Sequence, residues 1–371
     1  MEKTKKKRRA ATWLAAVLLL VAVAQVRAVE PPKNIILMIG DGMAASHITA
    51  ARVHAGELNM ERLPSGGLQW TFAANTLVTD SAASGTAIAT GHKTYNGAIS
   101  VTEDRRPVTT VLEHAEARGM ATGLVATCSI THATPAVFAA HVDDRSMDNA
   151  IALQMAEAGV EVLFGGGWAY FTPSTTPGGA REDGRDLIAE MERWTTVVRS
   201  AEDFRALGDV ESAVGLFARA HPGVASVRDP SLVELTAKAL EILSSDPDGF
   251  FLMVEGSQID WAGHENDAAY MIDEMMDFDA AVGAAVDFAE GDGRTLVIVT
   301  ADHECGGLTV LDGSLEERTF TAHHACGDHT ATAVPILSLG PGSEIFSGIV
   351  DNTDIGRGLI EMVASRPNGD R

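Results

Sequence analysis

Cysteine is scarce in this chain: three in 371 residues, Cys128, Cys305 and Cys326, with no CxxC spacing among them. That spacing argues against a thiolate zinc site, although in an oxidising compartment Cys305 and Cys326 could pair and leave Cys128 in an apolar setting. Positive charge is scarce too. Lys and Arg number 28 against 51 Asp and Glu, a net of −23, which argues against a basic surface for nucleic acid. No internal repeat or low-complexity tract is apparent. The longest apolar run, "TWLAAVLLLVAVA", is too short to favour a stable membrane span. It follows the basic "MEKTKKKRRA" and precedes a small-residue cleavage pattern, "VRA" at Val26 to Ala28. Residues 1–28 therefore have the form of a signal peptide. The expectation is an exported chain, periplasmic or secreted, starting near Val29 and free of the membrane after cleavage. Loss of those residues removes seven Lys/Arg and one acid, leaving 21 basic against 50 acidic residues, a net of −29. An anionic substrate then fits only where bound cations reverse the local field.

What the chain has in quantity is apolar sequence. At 46% hydrophobic and 21% charged it can build a large globular core. Continuous apolar runs occur at "NIILMIGDG" (Asn34 to Gly42), "ATGLVAT" (Ala121 to Thr127), "VEVLFGGG" (Val160 to Gly167), "GFFLMVEG" (Gly249 to Gly256), "TLVIVTADH" (Thr295 to His303) and "AVPILSLGPG" (Ala333 to Gly342). Runs of this kind, without alternation, indicate strands covered on both faces. Helical periodicity lies between them over 108–119, 231–245 and 267–289. The alternation predicts an α/β fold, a doubly wound and mostly parallel central sheet with helices on both faces. Residues 29–371 are expected to form a single domain, with surface excursions over 168–230. Ligands of such sheets bind beyond the carboxyl ends of the strands. Asp41, Glu255, Asp260, Asp302 and His303 all follow strand ends closely.

Each chemical motif has an ordinary structural explanation when taken alone. In "LVTDSAASGTAIATG" (Leu77 to Gly91), Asp80 or Ser81 could simply cap a helix, yet a helix start is also where an anion meets backbone N–H groups. In "VEGSQIDWAGHEND", Asp260 and His264 are four apart on one side of a helical turn and supply an O and an N donor suited to zinc; by themselves they would be a surface pair. Asp302 and His303 converge only if the chain turns, which Gly306 and Gly307 make plausible. His329 precedes a strand near the mouth of the sheet, whereas His323 and His324 have no such placement and are expected in a loop. Thr134 before Pro135 suggests an N-cap. Arg145 suits a bidentate grip on phosphate oxygens, or a surface pair with Asp143 or Asp144.

Taken together and in order, "MIGDG", "TDSAASGTA", "HATPAVFAAHVDDR", "VEGSQIDWAGH", "TADH" and "GDHT" resemble the alkaline phosphatase family from about Lys33 to Gly342. The resemblance implies a homodimeric phosphomonoesterase with two zinc ions, a third metal that is usually magnesium, and a covalent phosphoserine intermediate on Ser81. By motif position, Asp260, His264 and His329 would hold one zinc, and Asp41, Asp302 and His303 the second. Asp41, Thr134 and Glu255 would hold the third metal, and Arg145 would grip the phosphate. Two departures stand out. His132 replaces an aspartate of the best-known bacterial members, and Trp261 replaces a lysine, with Lys93 expected at the surface rather than as its substitute. Both changes weaken the case for magnesium and open the third site to zinc. Only 25 residues separate His303 from His329, so little or no crown insertion is expected, which weakens the dimer implication. Related hydrolases fit less well: a sulfatase would need Pro two places after its nucleophile, where Ala83 stands, and phosphodiesterases of this kind usually present threonine. A secreted zinc- or phosphate-binding protein without turnover is the reading from another class.

Overall fold

Strands form where the apolar runs leave no polar face to expose. The structure, a computed structural model, describes residues 31–366; the export signal expected over 1–28 and the start near Val29 lie outside the described residues. The strands are β1 (Asn34–Gly40), β2 (Ser65–Trp70), β3 (Ala121–Ser129), β4 (Val162–Gly166), β5 (Thr196–Val198), β6 (Ala213–Leu216), β7 (Phe250–Gly256), β8 (Thr295–Thr300), β9 (Glu304–Cys305), β10 (Leu308–Ser314), β11 (Thr319–His324), β12 (His329–Thr330), β13 (Val334–Leu339) and β14 (Gly348–Asp351). Ten of them make one sheet in the order β14-β2-β13-β8-β1-β7-β3-β4-β6-β5. Every pairing is parallel except those of β13 with β8 and with β2.

Alternate residues of β1 serve two cores. Ile35, Leu37 and Ile39 face one side with Phe251 and Met253 of β7 and the helices 81–90, 111–116, 133–139, 148–158 and 352–364. Ile36 and Met38 face the other, with Leu252, Val254 and the helices 45–55, 232–243 and 268–292. This double coverage is why the central strands carry no alternation. Among the described residues no helix is long and apolar enough to cross a membrane.

Two expectations change here. Residues 168–230 are not only excursions, since they supply β6 and the edge strand β5 at one end of the sheet. His323 and His324 close β11 rather than lying in a loop. The interval from His303 to His329 holds only the β10–β11 hairpin and its short flanks, in place of a crown.

Candidate active site

β1 lies at the centre of the sheet, flanked by β7 and β8. Register pairs Ile39 with Glu255 on one side and with Thr300 on the other, so the three strands end side by side. The turns beyond β1 and β8 bring in Asp41, Asp302 and His303, and the helix after β7, Gln258–Glu265, brings in Asp260 and His264. Gly42, at φ +74°, makes the first turn and donates its N–H to Asp302 Oδ1 at 3.2 Å.

Ser81 opens a helix of small residues, Ser81–Thr90, that is buried on every side. Close approach demands that composition: a Cβ on Gly85 would lie 3.0 Å from Val137. The capping work falls to Asp80. Its Oδ1 accepts from Ala83 N at 2.9 Å, and its Oδ2 accepts from Gly97 N at 3.0 Å and Arg145 Nη1 at 3.1 Å. Ser81 Oγ is thereby left for other partners, 3.3 Å from His303 Nε2 and 3.4 Å from Asp41 Oδ2.

Two sets of donors surround this hydroxyl. In the first, Asp260 lies 3.4 Å from His264 Nε2 and 3.2 Å from His329 Nε2, and the two imidazole nitrogens are 3.2 Å apart. In the second, His303 Nε2 lies 3.4 Å from Asp41 Oδ1 and 3.3 Å from Asp302 Oδ2. Donors bonded to a tetrahedral cation at about 2.0–2.1 Å stand roughly 3.3–3.4 Å from one another. Both sets have that spacing. The outer nitrogens of the first set are pinned, His264 Nδ1 to Gly327 O at 3.0 Å and His329 Nδ1 to Thr79 O at 2.9 Å, as a ligating imidazole requires. The His303 and His329 rings stack at 3.6 Å, so the sets adjoin.

The electrostatics also call for cations. Asp41, Glu255 and Asp302 are wholly buried and Asp260 nearly so. Asp41 Oδ1, Glu255 Oε1 and Asp302 Oδ2 make no hydrogen bond. Burial, then Asp302, Asp260 and Glu255, push the Asp41 carboxyl well above its usual range, and burial pushes Glu255 up to about 7. Burial would raise Asp260 as well, but hydrogen bonds from His264 and His329 outweigh it and hold it well below. Four carboxylates gathered away from water remain ionised only with compensating positive charge.

The remaining sequence candidates fall into place around this centre. Thr134 is not a cap: its helix, Ala133–Ala139, begins earlier with His132 as N-cap, and Thr134 Oγ1 lies 3.4 Å from Asp41 Oδ2. Arg145 pairs with neither Asp143 nor Asp144. It holds Asp80, and its Nη2 is 3.0 Å from His132 Nε2. Trp261 packs edge-on to His132 and to His221, a residue the sequence did not single out. Lys93 stays away from the centre, on Phe72 O and Asn352 Oδ1. Cys305 and Cys326 are free rather than paired. Cys305 is walled in, because Gly42 and Gly263 leave its Cβ no more room than the absence of their own, and Cys326 Sγ donates to Asp328 O. A donor atom of Cys305 lies within 4.8 Å of the Asp260, His264 and His329 donors. Its alternation with His303 along the chain was the signal available for finding it.

The family model described as "Alkaline phosphatase" matches residues 32–324. The chain belongs to the alkaline phosphatase family. Alkaline phosphatase 3 of Bacillus subtilis is 34% identical, over 89% of this chain and 89% of its own. Streptomycin-6-phosphate phosphatase of Streptomyces griseus is 35% identical, over 88% and 89%. Among solved structures, alkaline phosphatase from the Antarctic bacterium TAB5 is 38% identical with a TM-score of 0.83, covering 91% of this chain and 99% of that one. A His-to-Asp variant of that Antarctic enzyme is described with magnesium bound. As a member of the alkaline phosphatase family, the chain is a phosphoric monoester hydrolase, and its fold is that of the solved members.

Proposed function

We propose that the protein hydrolyses small phosphate monoesters through a covalent phosphoserine on Ser81, in a site that holds two zinc ions and a third divalent cation. One observation supports this above all: a serine freed from capping duty lies within 3.4 Å of both Asp41 and His303, inside two donor sets of cation-binding spacing. Asp260, His264 and His329 would hold one zinc, Asp41, Asp302 and His303 the other, and Asp41, Thr134 and Glu255 the third cation, magnesium or zinc. Bound there, the cations supply a lowered hydroxyl pKa and charge compensation for the attacking and leaving oxygens.

This chain's own residues do the rest. Ser81 Oγ bonds to phosphorus as the ester P–O bond breaks and the alcohol departs with a proton. Water then bonds to phosphorus from the opposite side, the Ser81 O–P bond breaks, and inorganic phosphate leaves. Arg145, aimed by Asp80, and the N–H groups opening the Ser81–Thr90 helix offset charge on the equatorial oxygens. His132 and Trp261 shape the wall beside Arg145.

Export to the periplasm or the medium follows from the sequence of residues 1–28. A homodimer is supported by an apolar face at the sheet edge: Leu68, Trp70 and Phe72 are exposed on and after β2, beside Ile349 of β14, with Leu77 and Ile345 also exposed. A patch of that kind on a soluble chain marks an interaction surface. The deciding experiment quenches turnover of labelled phosphomonoester with acid. Label should stay on the native chain and be absent from Ser81→Ala; label recovered on Ser81→Ala, or turnover that survives complete chelation, would refute the mechanism.

A further inference from the structure

A second group of donors uses Glu255. Ala126 of β3 is in register with Glu255 of β7, and Cys128, two residues on, returns to the same face of the sheet. Cys128 Sγ lies 3.5 Å from Glu255 Oε2. A ring nitrogen of His132, one short turn further, completes a group whose donors are within 4.8 Å of one another. A cation bonded to sulfur at about 2.3 Å and to oxygen at about 2.1 Å would place the two roughly 3.6 Å apart in a tetrahedron. Moreover, Glu255 Oε1 and His132 Nδ1 are buried without a hydrogen-bond partner.

We propose that Cys128, His132 and Glu255 form a binding position for a soft or borderline divalent cation of the zinc, cobalt or cadmium class, with Cys128 bound as thiolate. This rests on the cation-holding reading above, because Glu255 is shared with the third-cation position. Asp41 and Thr134 offer that carboxylate hard oxygen neighbours suited to magnesium; Cys128 and His132 offer sulfur and nitrogen, which favour zinc. Binding replaces the S–H bond by a metal–sulfur bond and releases the proton to solvent. Without a cation the thiol stays neutral, since burial and then Glu255 push it far up, and it donates to Ser129 O at 3.2 Å. A cation on His132 Nδ1 moves the ring proton to Nε2, which then no longer accepts from Arg145. Arg145 keeps its ion pair with Asp80.

The test loads the full chain with cobalt(II) and records cobalt content together with the near-ultraviolet thiolate-to-cobalt absorption. The band should appear in the native protein and in Cys305→Ser, and be lost in Cys128→Ser along with one cobalt equivalent. Absence of the band in a cobalt-loaded native protein, or its loss in Cys305→Ser with persistence in Cys128→Ser, overturns the proposal. A chain that takes up no cobalt at all refutes instead the cation-holding reading of the whole centre. Should Cys128→Ser misfold, X-ray absorption of zinc-loaded Cys305→Ser detects the same bond without altering Cys128: sulfur scattering at about 2.3 Å supports the site, and only oxygen and nitrogen scatterers overturn it.

Discussion

Gly42 joins the two donor sets, so adding one methyl group there should separate them. The residue has φ +74°, and a Cβ would stand 2.8 Å from Asp260 Cα and 2.9 Å from Cys305 Cβ. Alanine in the left-handed region costs about 1–2 kcal/mol. Restoring carbon–carbon contacts to about 3.5–4.0 Å requires the Asp41 turn and the Asp260 helix to part by about 0.7–1.2 Å. A displacement of about 1 Å costs roughly 10²-fold in rate and exceeds the few tenths of an ångström that metal ligands tolerate. Gly42→Ala should therefore fold, with stability lowered by a few kcal/mol, lose about 10²-fold in kcat/KM and retain less zinc. The control is Gly159→Ala. Its φ is +79° with nothing within 4 Å of the added carbon, and it precedes β4 at the amino ends of the strands. It should show the backbone cost alone. Steady-state kinetics, chemical denaturation and metal analysis on the pair separate strain from displacement. Native kcat/KM and zinc content in Gly42→Ala, or an equal activity loss in Gly159→Ala, would refute the reasoning.

Arg145→Ala removes a charge-assisted grip of about 1.5–3 kcal/mol and should lower kcat/KM by roughly 10- to 10²-fold while leaving the helix capped by Asp80; an unchanged kcat/KM would show that Arg145 only anchors Asp80. His132→Asp replaces a nitrogen donor by a hard carboxylate and should steepen activation by magnesium, so superimposable magnesium titrations would count against the third-site assignment. A third prediction concerns stability. Burial works against the charged forms of His141 and Glu113, yet their hydrogen bond at 2.9 Å raises His141 above 6.5 and lowers Glu113 below 4.5. The raised histidine contributes fully below 6.5 and loses its contribution as pH rises through its folded value. The lowered glutamate contributes above 4.5 and loses its share as pH falls. The stability advantage of native protein over Glu113→Gln should therefore peak between these two values and shrink on either side; denaturation curves showing a constant difference across that range would contradict it.

The central strands were legible because burial on both faces leaves an uninterrupted apolar signature, and the acids that follow them stand out against it. β2, with two glycines in "SGGLQW", and β5, only three residues long, carry no such signature, and β6 is apolar but just four residues long; pairing with neighbours makes them strands. Ordered motifs named the residues of the two donor sets: Asp41, Asp302 and His303 follow their strands closely, Asp260 and His264 lie four apart on the helix after β7, and His329 precedes β13. Side-chain direction was less accessible. Pro135 occupies the third position of its helix rather than the first, which moves the cap from Thr134 to His132 and turns Thr134 toward Asp41. The fate of Arg145 depended on Asp80, 65 residues away, and no local pattern encodes that distance.

The histidine that closes the first donor set is tethered to Thr79, two residues before the nucleophile. Any drift of that short segment carries both with it, so Ser81 cannot swing outward without slackening the imidazole that helps to define its target. Loop grafts intended to widen the entrance will therefore succeed only if 79–81 and 329 are exchanged as one mechanical unit.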